Sequence, residues 1–90
     1  IEPVDGREII VGIDFGRTPS AIFTQQHHSG KWTVFHEVIG QDMGAGRFAD
    51  VLKREITRHG WDKHDFKFFS VDNDQYYEFY KYFEFFELKH

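Results

Sequence analysis

Ninety residues with a hydrophobic fraction of 40% hold at most one domain with a modest core, and that fraction excludes wholesale disorder. The absence of cysteine excludes disulfides and thiolate zinc sites, and fits an intracellular setting better than a secreted one. A net charge of −4 argues against tight non-specific DNA binding, but leaves room for a metal site, which is itself built from carboxylates. No run is long and apolar enough to span a membrane, no signal peptide is visible, and a first residue of Ile gives the expectation of a domain cut from a longer chain.

Residues 8–15 read as a strand, with Ile9, Val11, Ile13 and Phe15 on one face and Ile10, Gly12 and Asp14 on the other. Both faces are largely apolar, which predicts a central strand with a layer on each side. Gly16 to Pro19 form a turn. SAIFTQQ, residues 20–26, is a second strand, and WTVFHEVI, residues 32–39, is a third. In the third, strict alternation places Trp32, Val34, His36 and Val38 opposite Thr33, Phe35, Glu37 and Ile39. The short links predict an antiparallel meander.

From about 44 to 59 the pattern changes to a helix. Ala45, Phe48, Ala49, Leu52 and Ile56 form one apolar stripe, with Asp42 as the expected N-cap and Gly60 as the residue that ends the helix. FKFFSVD, residues 66–72, is a fourth strand, and residues 74–88 read as a second helix. Of the 17 aromatic residues, 11 fall from Phe66 onward, so that helix has no cleanly polar side and needs cover.

The helix must return the chain so that the fourth strand lies parallel to a meander strand, by a right-handed crossover. If it pairs with the first, Asp14 and Asp72 end neighbouring strands about 4.8 Å apart. Two carboxylates so placed repel unless a proton or a metal lies between them. Oxygen ligands favour Mg²⁺ or Mn²⁺, and two such ions about 3.5–4 Å apart support phosphodiester cleavage. The alternative is that both acids cap turns after strands.

The stretches IIVGIDFGRTPSAIFTQQ and WTVFHEVIGQDMGAGRFADVLKREI resemble the nuclease domain of bacteriophage terminase large subunits. That family shows a G-x-D-F-G-x-T-P-(A/S)-A strand and turn, then a strand with Glu, then a D-M-G-A-x-x-F-A helix start. The likeness covers about residues 8–72. It implies a ribonuclease H-like α/β fold, truncated here, and a metal-dependent endonuclease that cuts double-stranded DNA during genome packaging in a bacterial cytoplasm. The implied partners are an ATPase motor domain, a small terminase subunit and a portal. Asp14 is then the first metal-binding acid. Asp72 is the expected second, with Asp74 behind it, because VDND stands where the family has a D-P-A-G-like turn. The family's third acid lies beyond His90, so this chain by itself is expected to be weak or inactive.

Other residues have competing readings. Arg17 and Thr18, in the turn after Asp14, either contact a DNA phosphate or are solvated. Lys53, Arg54 and Arg58 form a basic helix patch, either a solvated face or a backbone contact for DNA. Glu37 reaches the metal only if its face carries Asp14; otherwise it pairs with a cation. Gly12 and Gly16 flank Asp14, and either admit a ligand or serve the turn. Neither His27 with His28 nor His59 with His64 has zinc-site spacing, so no zinc site is expected. The VGIDFG stretch is also similar to the first phosphate motif of actin- and Hsp70-like ATPases, although Pro19 and the missing second phosphate loop depart from it. A non-catalytic reading, self-association through the aromatic tail of residues 73–90, also remains open.

Overall fold

In the computed structural model the described residues are 2–70. They form an α/β unit in which a four-stranded mixed sheet carries one α-helix. The apolar runs become β1 (Ile9–Asp14), β2 (Ser20–Gln26), β3 (Trp32–Ile39) and β4 (Phe66–Ser70), with α1 (Ala45–Arg58) between β3 and β4. A short 3₁₀ turn, Trp61–Lys63, follows α1. The sheet order is β3-β2-β1-β4. β1 pairs antiparallel with β2 and parallel with β4, and β2 pairs antiparallel with β3. The meander, the crossover helix and the parallel fourth strand are as the sequence predicts. Val71 onward, including the acids Asp72 and Asp74, the expected helix 74–88 and the aromatic tail 73–90, lies outside the described residues.

α1 buries the stripe that its spacing implies: Ala45, Phe48, Ala49, Leu52 and Ile56 are all buried. They share one core with Ile9, Val11, Ile13, Ala21, Phe23, Val38 and Phe68 from the sheet, and Phe15 packs against its edge. Gly60 ends the helix with φ 74°, a backbone region that glycine enters without steric cost. The start of α1 corrects the expectation. Gly44, not Asp42, is the N-cap, and no side chain caps the helix. Asp42 instead takes a positive φ of 46° in the preceding turn, a conformation that Asp tolerates better than most residues.

β3 contains the main departure from simple alternation. Phe23 pairs with His36 and Thr24 with Val34, so Phe35 is an extra residue in a β-bulge. One inserted residue reverses the phase of a period-2 pattern. Phe35 and His36 therefore both face the covered side, where their rings meet that of Phe23 at 6.2 and 5.6 Å. Trp32 and Val34 before the bulge are exposed, as are Glu37 and Ile39 after it. Glu37 thus leaves the face of Phe35, to which strict alternation assigns it.

The other side of the sheet presents Ile22, Val34, Ile39 and Phe69 as exposed apolar side chains. The second layer expected over β1 is not among the described residues. No helix among them is long and apolar enough to cross a membrane.

The N-terminal segment is held by a contact with no signature in the sequence. Gln25 is buried, and its side-chain amide oxygen accepts from the Val4 backbone N–H at 2.7 Å. Its amide nitrogen donates to the backbone oxygens of Val4 at 3.1 Å and Arg7 at 3.2 Å. The His64 Nδ1 also donates to the Arg7 oxygen, at 2.9 Å. Gln25→Ala removes three part-buried hydrogen bonds at once and leaves the Arg7 oxygen held by His64 alone, at a cost of about 1–3 kcal/mol. Amide exchange over residues 4–7 should accelerate more in that variant than exchange in β1. Equal protection of residues 4–7 in both proteins would contradict the clamp.

Candidate functional site

Asp14 is the last residue of β1 and is exposed on the sheet face opposite α1. It pairs with Ser20 on β2, while its neighbour Ile13 pairs with Ser70, the last residue of β4. Because β1 and β4 are parallel, their C-terminal ends stop side by side, as the two-acid reading requires of the strands. Gly12, Asp14, Ser20, Ile22, Phe69 and Ser70 line a shallow, open depression there. A Cβ added at Gly12 would meet only Ile22, at an ordinary 3.6 Å, so the sheet does not itself demand glycine at that position. Its absence keeps the floor of the depression low beside Asp14.

Arg17 and Thr18 belong to the turn that follows Asp14 and lie at the same end of the sheet. That turn is tied to the β3–α1 connection by backbone bonds from the Asp42 N–H to the Arg17 oxygen at 2.8 Å and from the Gly40 N–H to the Pro19 oxygen at 2.7 Å. The Arg17 guanidinium meets the Asp42 carboxylate at 3.4 Å, with both side chains largely in water. Such a pair is weak, so Arg17 is easily released to an incoming anion. Lys53 and Arg54 are not brought to Asp14. They lie on α1, which covers the opposite face; Lys53 pairs with Asp50 at 3.6 Å and Arg54 is exposed. Glu37 does share the open face with Asp14, but it pairs with Ile22, whose neighbour on β1 is Gly12. Two strand spacings and one pleat separate it from Asp14, roughly 12 Å, too far to share one ion directly.

A second constellation forms on the covered side, at the end of α1. The β3 bulge delivers His36, while the last turn of α1 supplies Glu55 and its C-cap supplies His59, four residues on and therefore on the same face. One ligating atom from each lies within 4.8 Å of the others. His36 Nε2 is 3.7 Å from Glu55 Oε2, and His59 Nε2 is 3.6 Å from Glu55 Oε1. The first gap is too long for a hydrogen bond, and His36 Nε2 is buried with no hydrogen-bond partner. His59 stacks on Trp61 with centroids 4.3 Å apart. Burial pushes the Glu55 carboxyl up, but the hydrogen bond and the charge of Arg58, joined by His36 and His59 whenever those rings are protonated, outweigh it and hold the group below its ordinary value. Sequence reading misses this cluster. The Glu55–His59 spacing is visible in the chain, but alternation without the bulge puts His36 on the wrong footing relative to Phe35.

No protein-family model matches the chain, and neither a curated protein nor a solved structure shows significant similarity to it.

Proposed function

We propose that this chain is a ribonuclease H-like nuclease domain of the phage terminase large-subunit type, a metal-dependent endonuclease acting on double-stranded DNA during genome packaging. The observation that carries the reading is the exposed carboxylate of Asp14 at the C-terminal end of β1, beside the end of a parallel β4. The two motifs around Asp14 and α1 support it, as does the strand order. Asp72, or Asp74 behind it, supplies the second carboxylate in this reading, and an ATPase motor, a small subunit and a portal are the partners it implies.

Asp14 fits a hard divalent ion. Mg²⁺ and Mn²⁺ take oxygen ligands, and Mg²⁺ sites commonly use only one or two protein carboxylates with water filling the rest. Among the described residues Asp14 belongs to no group of three or more possible ligands, so these residues by themselves hold such an ion weakly. A bound ion supplies charge neutralisation and an activated water. The chain's own residues do the remaining work. Asp14 fixes the ion's position from a rigid strand, Arg17 and Thr18 offer contacts to a phosphate, and the low floor at Gly12 leaves room for a DNA backbone.

The reading predicts slow nicking of supercoiled plasmid in Mn²⁺ at high protein concentration, abolished by chelation and by Asp14→Asn. Nicking that survives in Asp14→Asn would assign the activity elsewhere and contradict it.

A further inference from the structure

We propose that His36, Glu55 and His59 form a zinc-binding site that fastens the C-terminal end of α1 to the β3 bulge, on the opposite side of the sheet from Asp14. The donor set, its spacing and the unpartnered nitrogen of His36 point to this site whether or not Asp14 serves a nuclease. Two imidazoles and one carboxylate are a borderline-soft set that suits Zn²⁺, whereas Mg²⁺ prefers oxygen alone. Tetrahedral coordination with bonds of about 2.0–2.1 Å sets neighbouring ligand atoms roughly 3.3 Å apart. His59 Nε2 is 3.6 Å from Oε1 and His36 Nε2 is 3.7 Å from Oε2 of the same carboxylate, and one donor atom from each of the three residues lies within 4.8 Å of the others, so side-chain rotations of about an ångström close the set on one ion.

The nitrogen atoms are suitably poised. Arg58 Nη2 lies 3.1 Å from His59 Nε2. A guanidinium only donates, so His59 Nε2 presents a lone pair, as a metal ligand must. His36 Nε2 is buried and unpartnered among the described residues, a state that a bound cation corrects. All three side chains retain some exposure, 24% for His36, 18% for Glu55 and 26% for His59, so the cluster borders solvent although His36 Nε2 itself is covered.

Arg58 occupies the place of the cation in the metal-free protein. Its guanidinium bonds to Glu55 Oε1, with the Nε contact at 3.0 Å, while the side chain as a whole is largely in water. Zinc binding displaces it to solvent at small cost, because exposed pairs of this kind are weak. This makes Arg58 a competitor of the metal rather than a ligand, and gives the proposal a signature that ordinary packing lacks.

The test is a Zn²⁺ titration of the full chain by calorimetry, with the histidine ring resonances followed by NMR. One equivalent of Zn²⁺ should bind saturably and shift the His36 and His59 rings, leaving His27, His28 and His64 in place. Loss of an outer-shell partner alone weakens metal sites by about 10–100-fold, so His59→Gln, which removes a ligand, should weaken binding by at least that much. Glu55→Gln keeps the shape of the site and should also weaken binding strongly. Arg58→Ala should bind several-fold tighter than wild type. Asp14→Asn should bind Zn²⁺ normally, which separates this site from the nuclease reading. Absence of saturable binding in a wild-type chain with dispersed amide resonances would overturn the proposal. So would wild-type affinity in both His59→Gln and Glu55→Gln, or weaker binding in Arg58→Ala.

Discussion

Phe23→Ala should leave the chain largely unfolded at room temperature. Phe23 sits at the centre of the covered sheet face and is fully buried. Its ring meets Phe35 at 6.2 Å, His36 at 5.6 Å, Trp61 at 5.7 Å and Phe66 at 6.5 Å, in edge-on or tilted geometry. Truncating a buried Phe costs about 3–5 kcal/mol through lost transfer energy and the cavity left behind. Removing favourable ring pairs adds about 0.5–1.5 kcal/mol for each that cannot be replaced by repacking. A domain's whole stability is about 5–15 kcal/mol, and a small domain lies toward the low end. The comparison that isolates the cause is Ile22→Ala, one residue away on the open face, where the side chain is 40% exposed. That change should cost less than about 1 kcal/mol. Urea melts of the two variants side by side check the point. Similar losses in both would mean that α1 does not cover the face carrying Phe23.

These two neighbours also show how much of the fold is legible in the chain. Period-2 alternation in residues 8–15 assigns the core face of β1 well, whereas SAIFTQQ reads as a strand without showing which face holds Phe23, because three successive residues from Phe23 to Gln25 are buried. The helix stripe from Ala45 to Ile56 is equally readable, since five apolar residues at helical spacing admit one arrangement. The crossover and the parallel pairing follow from strand order and handedness. What escapes is local. The bulge at Phe35 has no signal such as a glycine in WTVFHEVI, so the reversal of face between Val34 and His36 cannot be read from the pattern. The clamp made by Gln25 joins residues far apart in sequence, and a buried glutamine in a strand carries no mark of its partners. Asp42 looks like a helix cap in sequence, but the chain takes one more turn and starts the helix after Gly44.

The candidate sites divide along the same line. Asp14 is legible because a single carboxylate ending an apolar strand stands out, and the motif around it adds context. The cluster of His36, Glu55 and His59 is not legible, because it depends on the bulge to bring a strand residue against the last helical turn. Arg17 and Thr18 sit at the Asp14 end as their place in the sequence implies, whereas Lys53 and Arg54 lie on the helix side of the sheet. DNA held at Asp14 would therefore meet Arg17 before either helix cation.

Asp14→Asn should abolish site-specific Mn²⁺ binding at the open end of the sheet while leaving the fold intact. The substitution keeps the side-chain shape but removes the charge that a hard cation requires. Asp14 is exposed and lies outside the core, so the stability change should stay within about 0.5 kcal/mol. The zinc cluster on the opposite face contains no Asp14 atom, and Mn²⁺ stands at the weak end of the affinity order for nitrogen donors. The two sites can therefore be told apart by which ion binds and which residues respond.

The central claim, that Asp14 is a metal ligand at the end of β1, is tested most directly by Mn²⁺ line broadening of backbone amides in wild type and Asp14→Asn. Saturable broadening centred on Gly12, Asp14, Ser20 and Ser70, lost in the variant, is the predicted result. No localised broadening in wild type, or the same broadening in Asp14→Asn, would contradict the account and leave Asp14 as a carboxylate that merely ends a strand.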